Sequence, residues 1–253
     1  MLAEERRRKI VQLTQRDGRV VVKDLARRFS TSLITIRKDL EYLQGQGRIE
    51  RAHGGALPID TGALQDPSLR EKERLHRKEK DRIAAAAARL VRRGQVIILD
   101  SGTTSTAVAR ATKTIRDLTV ITNAVNIAAE LAGTGVEVIL TGGALRPNSF
   151  SLVGPLAEES LRYITAELLF LAVDGFDLEY GLTTPNLLEA KVNRVMIANA
   201  KRTIVVCDSS KFGRRSLSLI APTSAVHEAI TDDKIPPKYL RGLRDAGVKV
   251  TIA

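Results

Sequence analysis

Seven short apolar runs in residues 94–253 constrain this chain more than any other feature: VIILD (96–100), LTVIT (118–122), VEVILT (136–141), LLFLAV (168–173), TIVVCD (203–208), HEAIT (227–231) and VKVTI (248–252). They are rich in β-branched residues, and most are continuous rather than alternating. Strands of that kind are buried on both faces, the habit of a parallel sheet covered by helices. Stretches between them, such as Ala124–Ala132 and Asn186–Ala200, carry helical patterning. The expectation is a layered, mostly parallel α/β domain. Ligands of open sheets of this class sit at the carboxyl ends of the strands, so the residues just past each run are the informative ones.

The first run ends at Asp100 and continues Ser101-Gly102-Thr103-Thr104-Ser105 into a helix. Glycine allows close backbone approach, hydroxyls donate, and a helix amino end favours an anion, so this is a candidate phosphate or carboxylate cradle. A structural turn rich in small residues is the alternative. The loop matches neither GxxxxGK[ST] nor GxGxxG. The second run ends at Thr122-Asn123 and the third at Thr141-Gly142-Gly143, with Arg146 just beyond. The fourth ends at Asp174-Gly175-Phe176-Asp177, and the helix after it carries Glu189 and Lys191. The fifth ends at Asp208-Ser209-Ser210-Lys211. Recurrence of such groups on one sheet edge points to a pocket for a small polar anion such as a phosphorylated sugar. Lys211 and the Asp100–Ser105 loop are expected to hold phosphate, and Asp174, Asp177 and Asn123 hydroxyls. Capping of a turn is the alternative for Asp174 and Asp177.

The front of the chain has a different character. Residues 1–57 carry 13 Lys/Arg against 7 Asp/Glu, and residues 70–93 carry 10 against 4, whereas residues 94–253 are nearly balanced at 17 against 16. That is the footprint of a front end that meets a polyanion. Glu4–Arg16 reads as a helix ended by Asp17-Gly18, and Arg19–Val22 as a short extended stretch. Lys23–Phe29 reads as a second helix and Ser30–Ser32 as a turn. Ser32 is a candidate N-cap of a third helix, Leu33–Gln44. Leu33, Ile36, Leu40 and Leu43 form its expected core stripe, with Thr35, Arg37, Lys38 and Glu41 facing outward. In a helix-turn-helix the second helix of the motif enters the major groove. Ser32, Thr35, Arg37 and Lys38 are therefore candidate DNA contacts, and Asp39 is expected to act within the domain. Arg48-Ile49-Glu50-Arg51 with the Gly54-Gly55 punctuation reads as a small β-wing offering Arg48, Arg51 and His53 to phosphates or the minor groove.

These residues resemble the DeoR family of bacterial transcription regulators: Thr35-Ile36-Arg37-Lys38-Asp39-Leu40 followed by His53-Gly54-Gly55-Ala56 at the wing, and then DSGTT, TN, TGG, VDG and DSSKFG in that order. Residues 181–219 are most similar to the amino-sugar repressors of that family. The resemblance implies a winged helix-turn-helix followed by an effector-sensing domain related in fold to ribose-5-phosphate isomerase, and a dimer or tetramer. The isomerases carry Asp-Gly-Ala-Asp, which Asp174–Asp177 resembles, and a glutamate base for which Glu189 is the candidate equivalent. Where they carry a catalytic lysine this chain has Tyr180, so recognition without turnover is expected. An isomerase-like enzyme with an added DNA-binding module is the alternative.

The expected organisation is a winged helix-turn-helix at 1–57, a linker and connecting helix at 58–93, and the α/β sensing domain at 94–253. The segment opened by Ser68 and Glu71 reads as a capped helix, its basic half solvated or DNA-facing and its alanine-rich half packed on the sensing domain or on a second copy. Cys207 is the lone cysteine and His53, His76 and His227 are scattered, so neither a disulfide nor a metal site is expected, nor any cofactor. No apolar run approaches the ~18 residues of a membrane span, and the amino terminus lacks the apolar core of a signal peptide, so a cytoplasmic protein is expected. The partners expected are a double-stranded DNA operator and a phosphorylated sugar or amino sugar.

Overall fold

A computed structural model describes residues 2–17, 19–46, 48–52, 54–57 and 66–253. The chain divides into two compact units, Met1–Thr61 and Gly62–Ala253. His53, the Gly18 and Gly47 signals and most of the expected linker lie outside the described residues.

The first unit contains α1 (Ala3–Asp17), β1 (Val20–Val21), α2 (Val22–Arg28), α3 (Leu33–Gly45), β2 (Glu50–Ala52) and β3 (Gly55–Leu57). Its core joins Ile10 and Leu13 of α1 to Leu25 of α2, Ile36, Leu40 and Leu43 of α3, and Ile49 and Ala56 of the wing. Leu33 departs from the expected stripe and is 41% exposed. It is the first residue of α3, directly after the N-cap, and the buried face begins only at Ile36. The wing is a three-stranded sheet in the order β1-β3-β2. Gly55 is required there: a Cβ at this position would lie 1.9 Å from the Val20 carbonyl oxygen, across the β1–β3 pair.

The second unit opens with α4 (Leu69–Arg74) and α5 (Arg77–Ala88), then β4 (Val96–Leu99), α6 (Thr103–Thr112), β5 (Thr119–Thr122), α7 (Val125–Leu131), β6 (Glu137–Leu140), β7 (Ala144–Arg146), β8 (Ser151–Val153) and α8 (Pro155–Arg162). It continues through β9 (Ala166–Leu171), β10 (Gly175–Asp177), β11 (Gly181–Thr184), α9 (Leu187–Ala198), β12 (Ala200–Val206), β13 (Ser218–Ala221), β14 (Glu228–Thr231), α10 (Pro237–Asp245) and β15 (Lys249–Ile252). The seven apolar runs become one seven-stranded sheet, β15-β14-β12-β9-β4-β5-β6, with parallel pairing throughout. Alternate residues of the inner strands feed two cores, whereas the edge strand β6 leaves Ile139 and Leu140 exposed. Ile98, Leu169 and Val205 pack with Leu161, Met196 and Leu243 of α8, α9 and α10. Ile97, Phe170 and Ile204 pack with Ile83, Val108 and Ile127 of α5, α6 and α7. The sheet is thus covered on both faces, which is why its strands read as continuous apolar runs. Its order reverses at β4: the chain runs outward through β5 and β6, then returns to lay β9 on the other side of β4. Such a switch point opens a crevice at the carboxyl ends of the two strands.

The basic segment before β4 is two helices rather than one. The Ser68–Glu71 capping box starts α4, but Leu75 is extended and His76 adopts a left-handed φ of 52° before α5 begins. Nor is the basic half wholly solvated: Lys80 is buried and donates to the Lys72 and Leu75 carbonyls at 2.5 and 2.7 Å, across the break between the two helices. The alanine-rich face of α5, through Ile83, Ala84 and Ala87, is used within this unit.

Candidate functional site

In the first unit the reading surface is built on the start of α3. Ser32 caps that helix, accepting the Thr35 N–H at 3.0 Å, and its hydroxyl meets that of Thr35 at 2.9 Å. Arg37 and Lys38 are exposed and make no hydrogen bond or ion pair among the described residues. The next residue turns the other way. Asp39 is 1% exposed and accepts Arg6 Nε at 2.6 Å and Arg7 Nε at 2.8 Å from α1, so it neutralises α1 rather than the reading face. Arg48 is exposed. Arg51 of β2 reaches Glu41 of α3 at 3.0 Å, an exposed ion pair linking wing to helix.

In the second unit the strand ends meet at the switch point. Past β4, Gly102 holds a φ of 139°, and a Cβ there would lie 2.9 Å from the Ala172 side chain that follows β9. That close approach lets α6 start beside the crevice. The helix has no side-chain cap, so its first-turn N–H groups present the positive end of the helix dipole. Thr104 and Ser105 are buried in this turn, and Ser105 Oγ has no hydrogen-bond partner among the described residues. Ser101 donates to Asp100 at 3.4 Å. Asn123, fully buried past β5, donates to the Leu152 carbonyl at 3.2 Å, and its Oδ1 has no partner among the described residues. The Thr122 hydroxyl is spent on the Leu99 carbonyl at 2.7 Å and serves the backbone.

Two acidic clusters lie past β4 and past β9. Burial first, and then the charge of Glu189, push the Asp100 carboxyl well above the ordinary carboxylate range, although Asn193 and backbone N–H groups donate to it. Glu189 of α9 binds Arg146 at 2.7 Å, Ser151 at 2.9 Å and Thr184 at 3.3 Å. The other arm of Arg146 holds Asp66. Past β9, Asp174 Oδ1 takes Lys72 Nζ at 2.7 Å and Lys211 Nζ at 3.8 Å, while Oδ2 takes the Thr184 hydroxyl at 3.5 Å. Burial raises the Asp174 pKa, but Lys72 and then Lys211 outweigh it and the carboxyl stays below its ordinary range.

The remaining candidates lie elsewhere. Asp177 accepts the Glu179 and Tyr180 N–H groups at 3.1 and 3.0 Å and pairs with Arg215 at 3.0 Å, so its carboxylate caps the β10–β11 turn. Lys191 is exposed, two residues and therefore about 200° around α9 from Glu189. Gly142 donates its N–H to Ser160 at 3.2 Å, and Gly143 packs against β8, where a Cβ would lie 2.6 Å from the Val153 carbonyl oxygen. Both shape the β6–β7 corner. Lys72, Lys80, Asn193, Ser151 and Thr184 were not among the expected site residues, and Asp66 and Arg146 were not expected to pair. Asn193 had a signal, lying one helical turn past Glu189 on the same face. The lysines lay in a run dominated by surface charge.

Comparison with known proteins agrees with this two-part build. Residues 6–61 match the DeoR-like helix-turn-helix domain, and residues 75–233 match the DeoR C terminal sensor domain. A putative aga operon transcriptional repressor from Escherichia coli O157:H7 is 44% identical over 98% of this chain and 93% of its own length. The glycerol-3-phosphate regulon repressor of Escherichia coli K12 is 29% identical over the full length of both. Among solved structures, ribose 5-phosphate isomerase from Plasmodium falciparum aligns with a TM-score of 0.40 at 14% identity, over 53% of this chain and 52% of that one.

Proposed function

The chain belongs to the DeoR family of DNA-binding transcription regulators, and from that premise we propose that it represses genes for the use of a sugar or amino sugar and is controlled by a phosphorylated sugar bound at the carboxyl edge of its sheet. In this reading residues 1–57 bind DNA, 58–93 connect and 94–253 sense. Ser32, Thr35, Arg37 and Lys38 read the operator, and Arg48, Arg51 and His53 grip its backbone. The chain works as a dimer or tetramer, which sets two or more readers on repeated half-sites.

The observation that carries the sensing part is the pairing of opposite chemistries at the switch point. The uncapped amino end of α6 and the ammonium of Lys211 suit a phosphate. Asp174, Asn123 and Asn193 beside them suit sugar hydroxyls. A ligand bridging both halves binds one conformation of the edge better than another and so shifts the population of the DNA-competent form. Binding without turnover is the favoured reading. Tyr180, at the position of the isomerase lysine, brings no ammonium to an oxyanion, and the Arg215 guanidinium over its ring at 3.7 Å is taken up by Asp177 and Glu179.

The test is a fluorescence anisotropy titration of the full-length chain on DNA from upstream of its own gene. Galactosamine-6-phosphate, glucosamine-6-phosphate, glycerol-3-phosphate and ribose-5-phosphate are added in turn, with inorganic phosphate as control. One sugar phosphate is expected to change DNA affinity about tenfold or more. Indifference to all four removes the sensing claim, and isomerisation of any of them by the purified chain removes the claim of binding without turnover.

A further inference from the structure

We propose that Arg70, Arg74, Arg77 and Lys78, on the two helices that open the second unit, form a second DNA-contacting surface that grips the phosphate backbone of the duplex held by the winged helix-turn-helix. The proposal rests on the reading of the first unit as the operator reader. It goes beyond that reading, which leaves residues 58–93 as a connector only.

Six cations and three acids lie between residues 70 and 80. Every acid is spent inside the chain. Glu71 accepts the Ser68 N–H at 2.9 Å and the Ser68 hydroxyl at 3.0 Å, Glu73 takes Arg110 at 3.4 Å, and Glu79 takes Lys234 at 2.8 Å. Two of the cations are spent as well, Lys72 on Asp174 and Lys80 on backbone carbonyls. The other four are exposed, and their side chains make no hydrogen bond or ion pair among the described residues. Glu5 and Lys9 of α1 show the ordinary alternative for a charged helix in water, an i,i+4 pair. On α4 and the start of α5 the acids are drawn off to other partners, and four positive charges are left facing outward.

Their placement is directional. Arg70 and Arg74 are four residues apart and share one face of α4. Both lie about 200° around the helix from Lys72, which reaches Asp174, so the face of α4 turned away from the sheet edge is basic. Arg77 and Lys78 are the first two residues of α5, where cations oppose the helix dipole. Glu79, the acid of that turn, is held by Lys234 and does not offset them. Helix stability gains nothing from this arrangement, whereas a polyanion is drawn to it. β3 ends at Leu57 and α4 begins at Leu69, so eleven residues join them. DNA held by the first unit is therefore presented to these cations at high effective concentration.

Each phosphate neutralised by a cation releases counterions, so the contribution is read as a salt slope. Fluorescence anisotropy titrations of the full-length chain on DNA from upstream of its own gene, between about 50 and 200 mM salt, test the proposal. One variant combines Arg70→Gln, Arg74→Gln, Arg77→Gln and Lys78→Gln. A charge-matched control combines Lys113→Gln, Arg116→Gln, Arg241→Gln and Arg244→Gln, exposed positions elsewhere on the second unit. The first variant is expected to lower the slope of log affinity against log salt by about two to four, and to weaken binding about tenfold or more on operator and scrambled DNA alike. The control is expected to stay within about one of the wild-type slope. A first variant whose slope stays within about one of wild type overturns the proposal and leaves an acidic protein as the partner this face fits. An equal fall in both variants also overturns it, being an effect of net charge. Either result leaves the operator reading standing, whereas a wild type that does not bind this DNA removes that reading and this surface with it. The four side chains have no internal partner, so the wild-type melting profile is expected to persist. Should the combined variant fail to fold, the Arg70/Arg74 and Arg77/Lys78 pairs replaced separately are each expected to lower the slope by about one to two, and no change in either overturns the proposal.

Discussion

Arg6 Nε donates to Asp39 Oδ2 at 2.6 Å, with the Asp39 side chain 2% exposed and that of Arg6 12% exposed. Arg7 holds the other carboxylate oxygen at 2.8 Å and lies over the Tyr42 ring at 3.9 Å. This one carboxylate therefore fixes α1 against α3 and, by turning inward, leaves the positive charge of Arg37 and Lys38 unopposed. Removing one partner of a buried pair costs about 3–5 kcal/mol, and the partial exposure of the arginines places Asp39→Ala near the lower end. Calorimetry of the full-length variant is expected to show the first unit melting well below wild type. An unshifted transition would show that the pair contributes nothing.

Arg37 and Lys38 owe nothing to the fold, so truncating them should change DNA binding alone. A lysine on phosphate weakens binding about equally on all sequences and lowers the salt slope by about one when lost. An arginine on a base edge contributes about 1–3 kcal/mol of discrimination. Arg37→Ala and Lys38→Ala are expected to keep the wild-type melting profile while losing operator affinity. Titrations at two salt concentrations and on operator against scrambled DNA assign each residue its role, and undiminished affinity removes it from the interface.

Much of this architecture is legible in the sequence because it rests on local pattern. The apolar runs announce a buried parallel sheet, and Thr35–Leu40 with the glycines of the wing announces the reader. The reversal of strand order at β4 is not legible, since pairing β4 with both β5 and β9 leaves no trace in periodicity. The site divides the same way. The Asp100–Ser105 loop is visible as a strand-to-helix turn. Lys72 and Lys80 are not, because in a run of charges nothing distinguishes a lysine in water from one whose ammonium is taken up 102 residues later by Asp174. Asp177 carries two readings in the sequence for the opposite reason: a short acidic motif looks the same whether it faces a ligand or caps its own turn, and here it accepts the Glu179 and Tyr180 N–H groups. Leu33 shows that a helical stripe overreaches at helix ends, where the first turn need not face the core.

Burial, more than its charged neighbours, holds the Lys80 ammonium down to about 8 from an ordinary 10.5. The folded chain gives up this proton before the unfolded chain does. Between those two values the unfolded state binds more protons and stability rises with pH, whereas below about 8 both states are protonated and the penalty is constant. The stability of wild type relative to Lys80→Met should therefore be flat from about pH 6 to 7.5 and climb by roughly 3 kcal/mol towards pH 10.5. Urea unfolding of both proteins across that range checks the sign. A relative stability that falls as pH rises would mean that the ammonium is better solvated folded than unfolded.

Asp100 titrates in the opposite sense. Its folded pKa lies well above the ordinary 3.8, through burial first and the charge of Glu189 second. A group raised in this way gives its full contribution below the unfolded value and loses it as pH climbs through the folded value. Asp100→Asn keeps the shape and one acceptor oxygen and removes the charge that burial and Glu189 penalise. The variant is expected to be more stable than wild type at pH 7, with the gap closing as pH falls towards 4. Chemical denaturation of both proteins at several pH values between 4 and 8 decides the matter. A variant weaker than wild type at neutral pH would mean that the ionised carboxylate is held favourably by its donors, and that Asp100 enters the site as an anion rather than as a neutral acid able to donate to a phosphate oxygen.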